Sequence, residues 1–313
     1  MRIFSTIDEI QETFPVPVVT LGNFDGVHLG HQSLFKQVQE RAQQLRGTSI
    51  VLTFDPHPQR ILYPEREFYL INHIEEKREI IRQCGIDVLI CMVFTQEFAA
   101  QDPEEFVKKV LVEKLHLHEM YVGYDSRFGQ GKKGSPEMLK SLGERYGFHT
   151  VIIPPITHNG LVASSTKIRQ LIRQGQIGQA AQLLNRPYAI DGSVVPGTQR
   201  GANLLGYPTA NIDVIHELIP KSGVYICYIK WNKHNYPAVI NVGSNPTFHA
   251  NHVTVEAYLL DFHHDLYGSQ ISAHFLKRIR DELTFPNART LVEQIDHDVC
   301  VARAYFQTKS VLI

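Results

Sequence analysis

The chain has 313 residues, with 31 Lys plus Arg against 32 Asp plus Glu and a formal net charge of −1. That length exceeds one ordinary core and predicts two domains, while the neutral balance gives no support for general binding to nucleic acid or an anionic membrane. The longest apolar run, Val88 to Phe94, is a strand's length rather than a membrane span, and Asp8 and Glu9 interrupt the N-terminal segment before a signal-peptide core can form, so the expected location is the cytoplasm. Cys84, Cys91, Cys227 and Cys300 are far apart, make no metal-spaced pair, and are expected to be reduced and packed.

In chain order, the first informative stretch is VPVVTLGNFDGVHLGH, Val16 to His31. A buried strand ending at Leu21 feeds a Gly-rich loop and a helix N-terminus, the arrangement that receives phosphate. Gly22, Gly26 and Gly30 let backbone N–H groups approach a charged ligand, and His28 and His31, one helical turn apart, can both face it. A Gly-rich loop alone is weak evidence, and two histidines so spaced could be half a zinc site, although no Cys lies near and no third ligand is obvious.

Ser33 to Leu45 reads as a helix with Leu34, Val38, Ala42 and Leu45 on one face and Gly47 closing it. Strands are expected over Ser49–Phe54, Val88–Phe94 and Thr150–Ile153, and another strand is expected to end at Tyr121-Val122, with helices at Glu75–Cys84 and Thr166–Arg173. Asp102-Pro103-Glu104-Glu105 starts a further helix with Glu105 completing a capping box, and Ser135-Pro136 starts another by the same device. The alternation predicts a doubly wound α/β domain whose ligands sit at the carboxyl ends of parallel strands.

Past about Asn185 the texture becomes β-branched and aromatic: Ile190–Val195, Val224–Trp231, Ala238–Val242, Val253–Leu260 and Gln270–Phe275, with turns at 231–235 and Gly243-Ser244-Asn245-Pro246. A compact antiparallel sheet or small barrel is expected, covered by a last helix capped at Asn287 and carrying Leu291, Ile295, Val299 and Ala302 on one face. Domains of 1–186 and 187–313 follow.

Other stretches carry chemistry-bearing residues. Phe54-Asp55-Pro56-His57-Pro58 and Gly123-Tyr124-Asp125-Ser126-Arg127-Phe128-Gly129 follow strands, and Ser164-Ser165-Thr166-Lys167-Ile168-Arg169 sets hydroxyls at a helix start, where they are also ordinary caps. In the second domain Thr209 and Asn211 project to one side of an extended segment and could share a Mg²⁺, or form a polar turn. Glu256 sits in an apolar strand that would raise its pKa if it points inward; it could equally be an exposed charge.

His28-Leu29-Gly30-His31 matches the HxGH signature of nucleotidyltransferases, and the longer GNFDGVHLGH resembles the bacterial bifunctional riboflavin kinase/FMN adenylyltransferases. The later stretches resemble that family's FxPHP, GxDFRFG, SSTxIR, LGFPTAN, NIGxRPTF, EVHLLDF and LRxExxF segments in collinear order, from Val18 to about Phe285. The resemblance implies a Rossmann-like nucleotidyltransferase domain and a riboflavin kinase-like barrel, with ATP as co-substrate, Mg²⁺, riboflavin and FMN as substrates, and FAD as product. His28 and His31 would contact ATP phosphates. Gly22, Asn23, Phe24, Asp25, Gly26, Gly30, Ser164, Ser165, Thr166 and Arg169 would bind nucleotide and phosphate. Phe54, Pro56, His57, Asp125, Phe128 and Arg280 would meet flavin, Thr209 and Asn211 would hold Mg²⁺ and phosphate, and Glu256 would be the base. Ser126 stands where the family has Phe and Lys133 where Arg is common; Ala202 and Asn245 stand where Arg is usual, in a segment, Arg200 to Gly206, one residue longer than RGRxLG. An adenylyltransferase with a merely flavin-binding barrel, or a non-catalytic flavin-binding module, are the alternatives, and the oligomeric state is left open.

Overall fold

The computed structural model describes residues 1–196, 207–247 and 250–308, with the backbone alone for 244–247 and 250–252. Residues 200–206, with the missing Arg at Ala202, and the Asn245 side chain therefore lie outside the described part. The contacts divide the chain into two compact units, Met1–Ser165 and Thr166–Ile313.

In the first unit β1 (Arg2–Phe4), β2 (Pro17–Leu21), α1 (Leu29–Leu45), β3 (Thr48–Asp55), α2 (Pro58–Leu62), α3 (Ile74–Gln83), β4 (Val88–Val93), α4 (Gln96–Ala99), α5 (Pro103–Phe106), β5 (Glu119–Gly123), α6 (Pro136–Tyr146) and β6 (His149–Ile153) follow in order. A π-helical stretch, Val107–Lys114, extends α5, and a two-residue pair, β7 (Thr157–His158) and β8 (Leu161–Val162), closes the unit. The six strands pair in parallel in the order β1-β4-β3-β2-β5-β6. Every residue of β2 is buried, as a central parallel strand covered on both faces requires. Val19, Leu21, Ile50 and Leu52 join one apolar cluster, and Val18 and Val51 join the other with Phe35 and Val38 of α1. The chain leaves β2 for β3 on one side and reaches β5 on the other, so the crevice beyond Leu21 is the switch point where such sheets take ligands.

The helix expected from Ser33 begins at Leu29, because the first turn folds directly off the loop. Asp102 caps α5 by accepting from the Glu104 and Glu105 amides at 2.9 and 3.2 Å. The reciprocal half of the capping box is not made, since the Glu105 carboxylate pairs with Lys109 one turn on.

The second unit opens with α7 (Ser165–Arg173) and α8 (Ile177–Leu184), continues through β9 (Tyr188–Val195), β10 (Ala210–Val214), β11 (Gly223–Trp231), β12 (His234–Thr247), β13 (Ala250–Leu259) and β14 (Gln270–Arg280), and ends with α9 (Ala288–Thr308). Its six strands form a closed barrel, β10-β13-β12-β11-β14-β9, antiparallel throughout. Asn232 and Lys233, both at positive φ (48° and 68°), make the tight β11–β12 turn. Strand alternation sends Tyr225, Cys227, Ile240 and Ala257 to the interior, each fully buried, while Val224, Ile226 and Val239 pack outward with Val299 and Ala302 of α9. Asn287 caps α9 by accepting from the Thr290 amide at 3.0 Å.

Two expectations are corrected. The turn expected at Gly243–Pro246 is instead strand, because β12 stays in register with β13 through Thr247↔Ala250. Cys300 is exposed on α9 rather than packed, although all four cysteines are free thiols.

Candidate active sites

At the switch point Gly22 N–H still donates to Leu52 O at 3.1 Å, and then the chain turns sharply. Phe24, Gly26 and Val27 all adopt positive φ (50°, 81° and 37°). For Phe and β-branched Val this costs about 1–3 kcal/mol each, so the surroundings must fix the loop. They do so from below. The buried Phe24 ring meets His31 and Phe35 edge-on at centroid distances of 5.1 and 4.8 Å. The buried Asp25 carboxylate accepts from the Ile71 and Asn72 amides at 3.0 and 3.4 Å, and the Asp25 carbonyl accepts from the Ser165 hydroxyl at 2.8 Å. Phe24 and Asp25 are thus bound up in holding the loop. The Asn23 carbonyl accepts from Thr53 Oγ1 at 3.1 Å and from Lys77 Nζ at 3.3 Å.

His28 occupies the N-cap of the 17-residue α1, and its ring stacks on that of His31 at 3.6 Å with planes 22° apart. Gly30 makes this possible, since a Cβ there would lie 3.1 Å from His28 Cε1. Burial, then the charges of His28 and Lys77, push the His31 pKa well below the usual imidazole value, so His31 is neutral at physiological pH. His31 Nδ1 is buried and has no hydrogen-bond partner among the described residues. An orphaned ring nitrogen beside a helix N-terminus and a glycine loop is a fitting receptor for phosphate oxygens.

The other expected residues of this site divide. Phe54 is buried against Phe94 and Phe98 at 5.4 and 5.6 Å, and Phe128 is buried 6.1 Å from Phe106, so both rings serve the core. His57 caps α2, its Nδ1 accepting from the Gln59 amide at 3.1 Å, and packs on Phe68. Pro56 is half-buried beyond β3 and Asp125 is exposed beyond β5. Ser164 and Ser165 close the first unit, whereas Thr166 and Arg169 lie on α7 in the second.

On the barrel, register brings together what sequence separates. Asn211 of β10 and Asn241 of β12 both lie directly opposite Glu256 of β13, one on each side. Paired antiparallel residues share a face, so the three form a polar row across three strands. Two of the three, Asn241 and Glu256, border a cavity of about 380 Å³ between the outer barrel face and α9, lined also by Thr209, Tyr258, Glu282 and Leu291. Glu256 is half-buried and burial pushes its carboxyl pKa upward. Glu282, Thr254 and Asn241 converge over Gly243: a Cβ there would meet Glu282 Oε1 and Thr254 Oγ1 at 3.0 Å and Asn241 Nδ2 at 3.4 Å.

Arg280 borders the same cavity, with its guanidinium engaged by the buried Asp298 of α9 through Nε at 3.0 Å and Nη2 at 2.7 Å. The Tyr207 hydroxyl donates to Asp296 of α9, a contact that pushes its pKa up to about 12, and its ring meets Tyr258 edge-on at 4.9 Å. Asn241, Glu282 and Lys77 are additions to the sequence reading. Asn241 carried a signal, its place in the NVGSNPTF stretch, but only strand register sets it beside Glu256.

Residues 10–167 match the FAD synthetase family model and residues 184–306 the riboflavin kinase model. The chain is 35% identical over 309 residues, 98% of each chain, to the bifunctional riboflavin kinase/FMN adenylyltransferase of Buchnera aphidicola (subspecies Acyrthosiphon pisum). It is 36% identical over 293 residues, 92% of each chain, to the enzyme of the same name from Listeria monocytogenes. A Streptococcus pneumoniae crystal structure described as a macrolide-efflux protein superimposes with a TM-score of 0.89 at 31% identity, covering 96% of this chain and 98% of that one. No helix among the described residues of this chain is long and apolar enough to cross a membrane. With both halves matched in order and relatives aligned along nearly the whole length, the chain belongs to the bifunctional riboflavin kinase/FMN adenylyltransferase family.

Proposed function

We propose that the two sites divide the family's chemistry, the barrel face phosphorylating riboflavin to FMN and the glycine loop adenylylating FMN to FAD. The observation that carries this division is the Asn211–Glu256–Asn241 row: a half-buried carboxylate between two amides, on a unit separate from the stacked histidines.

In the barrel, Glu256 accepts the proton of the ribityl hydroxyl as that oxygen attacks the γ-phosphate of ATP, and the β–γ bond breaks to release ADP and leave FMN. The raised pKa of its carboxyl brings it nearer the pH at which it must work as a base. Thr209 and Asn211, neutral oxygen donors two residues apart, fit Mg²⁺, which prefers oxygen ligands; they would hold it, and when bound it would supply charge neutralisation on the phosphates. Asn241 orients the Glu256 carboxylate from the neighbouring strand.

In the first unit, a phosphate oxygen of FMN attacks the α-phosphate of ATP, and the α–β phosphoanhydride bond breaks to release pyrophosphate and leave FAD. The nucleophile is already ionised, so the loop aligns and neutralises rather than deprotonates. His28 and neutral His31 donate hydrogen bonds to the phosphates, with Gly22, Gly26 and Gly30 leaving room for backbone amides. We place the functional boundary at 186–187, just before β9, whereas the contacts divide the chain after Ser165. Two chemistries that consume ATP, together with four free thiols, suit the cytoplasm.

The test is to incubate purified protein with ATP and Mg²⁺, once with riboflavin and once with FMN, and to separate the flavins by chromatography. FAD forms from both. FAD from FMN alone would reduce the barrel to a flavin-binding module, and turnover of neither would leave a non-catalytic protein.

A further inference from the structure

Lys77 of α3 is the one Lys or Arg buried among the described residues, only 7% exposed. Its ammonium is surrounded by neutral oxygens: the Asn23 carbonyl at 3.3 Å, Thr53 Oγ1 at 3.3 Å and the Phe54 carbonyl at 3.2 Å. No carboxylate of the described residues lies within ion-pair distance of it. A buried charge without a counterion is costly, and proteins keep one where something else answers it. Burial pulls its pKa down, while the more distant Cys91, Asp25 and Asp55 pull it back.

The three acceptors are not scattered. Asn23 belongs to the glycine loop, and Thr53 and Phe54 to the carboxyl end of β3, so Lys77 joins the two segments that bound the switch point. In a trans peptide the C=O and the following N–H point in opposite directions. With the Asn23 carbonyl drawn toward Lys77, the Phe24 N–H is turned away from it, and that N–H has no hydrogen-bond acceptor among the described residues.

We propose that Lys77 is a positioning residue for adenylyl transfer: its ammonium fixes the Asn23 and Phe54 carbonyls so that the Phe24 amide faces an ATP phosphate, whose negative charge answers the buried cation. The inference rests on the glycine loop being the adenylyl-transfer site. Lys77 touches no reacting atom. It acts through the loop and through its field at His31.

Lys77→Met and Lys77→Gln in the full chain test this, with riboflavin phosphorylation in the second unit as the internal control. Lys77→Met lowers kcat/KM for ATP in FAD formation by about 100-fold, the effect of losing a preorganised donor, and leaves the kinase step within about twofold. The His31 ring, followed by NMR titration, ionises at higher pH once the neighbouring positive charge is gone, a readout that a purely structural role for Lys77 does not move. Lys77→Gln keeps an N–H donor and recovers part of the rate but not the His31 titration. Wild-type FAD formation by Lys77→Met, or a rate loss with the His31 titration unmoved, overturns the proposal. Should Lys77→Met unfold the first unit, seen as collapse of its NMR dispersion, the same two criteria applied to Lys77→Gln decide. His28→Ala runs in parallel: if it retains FAD formation the site assignment itself fails, whereas activity lost in His28→Ala but kept in Lys77→Met sinks only the role of Lys77.

Discussion

The glycine loop and the barrel face, the two sites proposed for ATP, differ in what they present: one holds stacked imidazoles and a buried ammonium, the other a carboxylate between two amides. The difference follows from the nucleophile. FMN brings an ionised phosphate oxygen, so an anionic side chain beside it would only repel; riboflavin brings an alcohol, which must lose a proton as it attacks. The scaffolds differ in the same sense. The loop is held by the contacts of Phe24, Asp25 and Lys77, whereas the proposed base, Glu256, is carried in the middle of a strand whose register fixes its two neighbours.

The largest effect expected from breaking this contrast is Glu256→Gln, which lowers riboflavin phosphorylation by about 10²–10⁴-fold while FMN adenylylation stays unchanged, as separate assays of the two half-reactions will show. The pH profiles sharpen the same contrast. Because burial raises the Glu256 pKa, the kinase rate falls on the acid side at a higher pH than an exposed glutamate would give, whereas His31, already neutral, adds no such step to adenylyl transfer through neutrality. Stability carries the opposite sign. A carboxyl with a raised folded pKa stabilises the fold fully below its unfolded value of about 4.3 and loses that contribution as pH rises through the folded value. Glu256→Gln is therefore expected to keep or slightly raise the melting temperature at pH 7.

Next in size is His28→Ala, expected to cut FAD formation from FMN by about 10²–10³-fold and to leave the kinase unaffected. Smaller for catalysis, though not for folding, is Asp298→Ala. It strands the Arg280 guanidinium, whose side chain is 18% exposed, and should cost about 3 kcal/mol in urea unfolding of the second unit. A KM rise for riboflavin in that variant, measured with FMN adenylylation as control, will show whether the ion pair also shapes the cavity that it borders.

Much of this contrast was legible in the residue order. The β2 run and the HLGH tetrapeptide announce a strand, a loop and a helix start, because burial on both faces and a glycine-rich turn leave local marks. Five of the six barrel strands were legible from their β-branched and aromatic texture, as was the Asn287 cap. What stayed hidden depends on distance. Phe24 and Asp25 look like ligands in the sequence, and only the fold shows them engaged by Phe35, Ile71 and Asn72. Lys77 lies in a helix as polar as any surface helix, EEKRE, so nothing local marks it as buried. The short β10 is absent from the expected strands, Thr209 and Asn211 being compatible with an extended segment or a polar turn, since a five-residue strand bearing Asn and Asp has little β propensity of its own and forms because β9 and β13 flank it.

The closure of the barrel also has a consequence for synthesis on the ribosome. β9 pairs with β10 on one side and with β14 on the other, in the register Tyr188↔Phe275. The first strand of the barrel therefore waits for the last one to emerge. The parallel sheet needs nothing beyond its own unit and can be complete long before. Until β14 arrives, β9 has one bare edge open to other nascent chains, so a stall or truncation between Leu259 and Gln270 should yield a soluble first unit tethered to an aggregation-prone remnant.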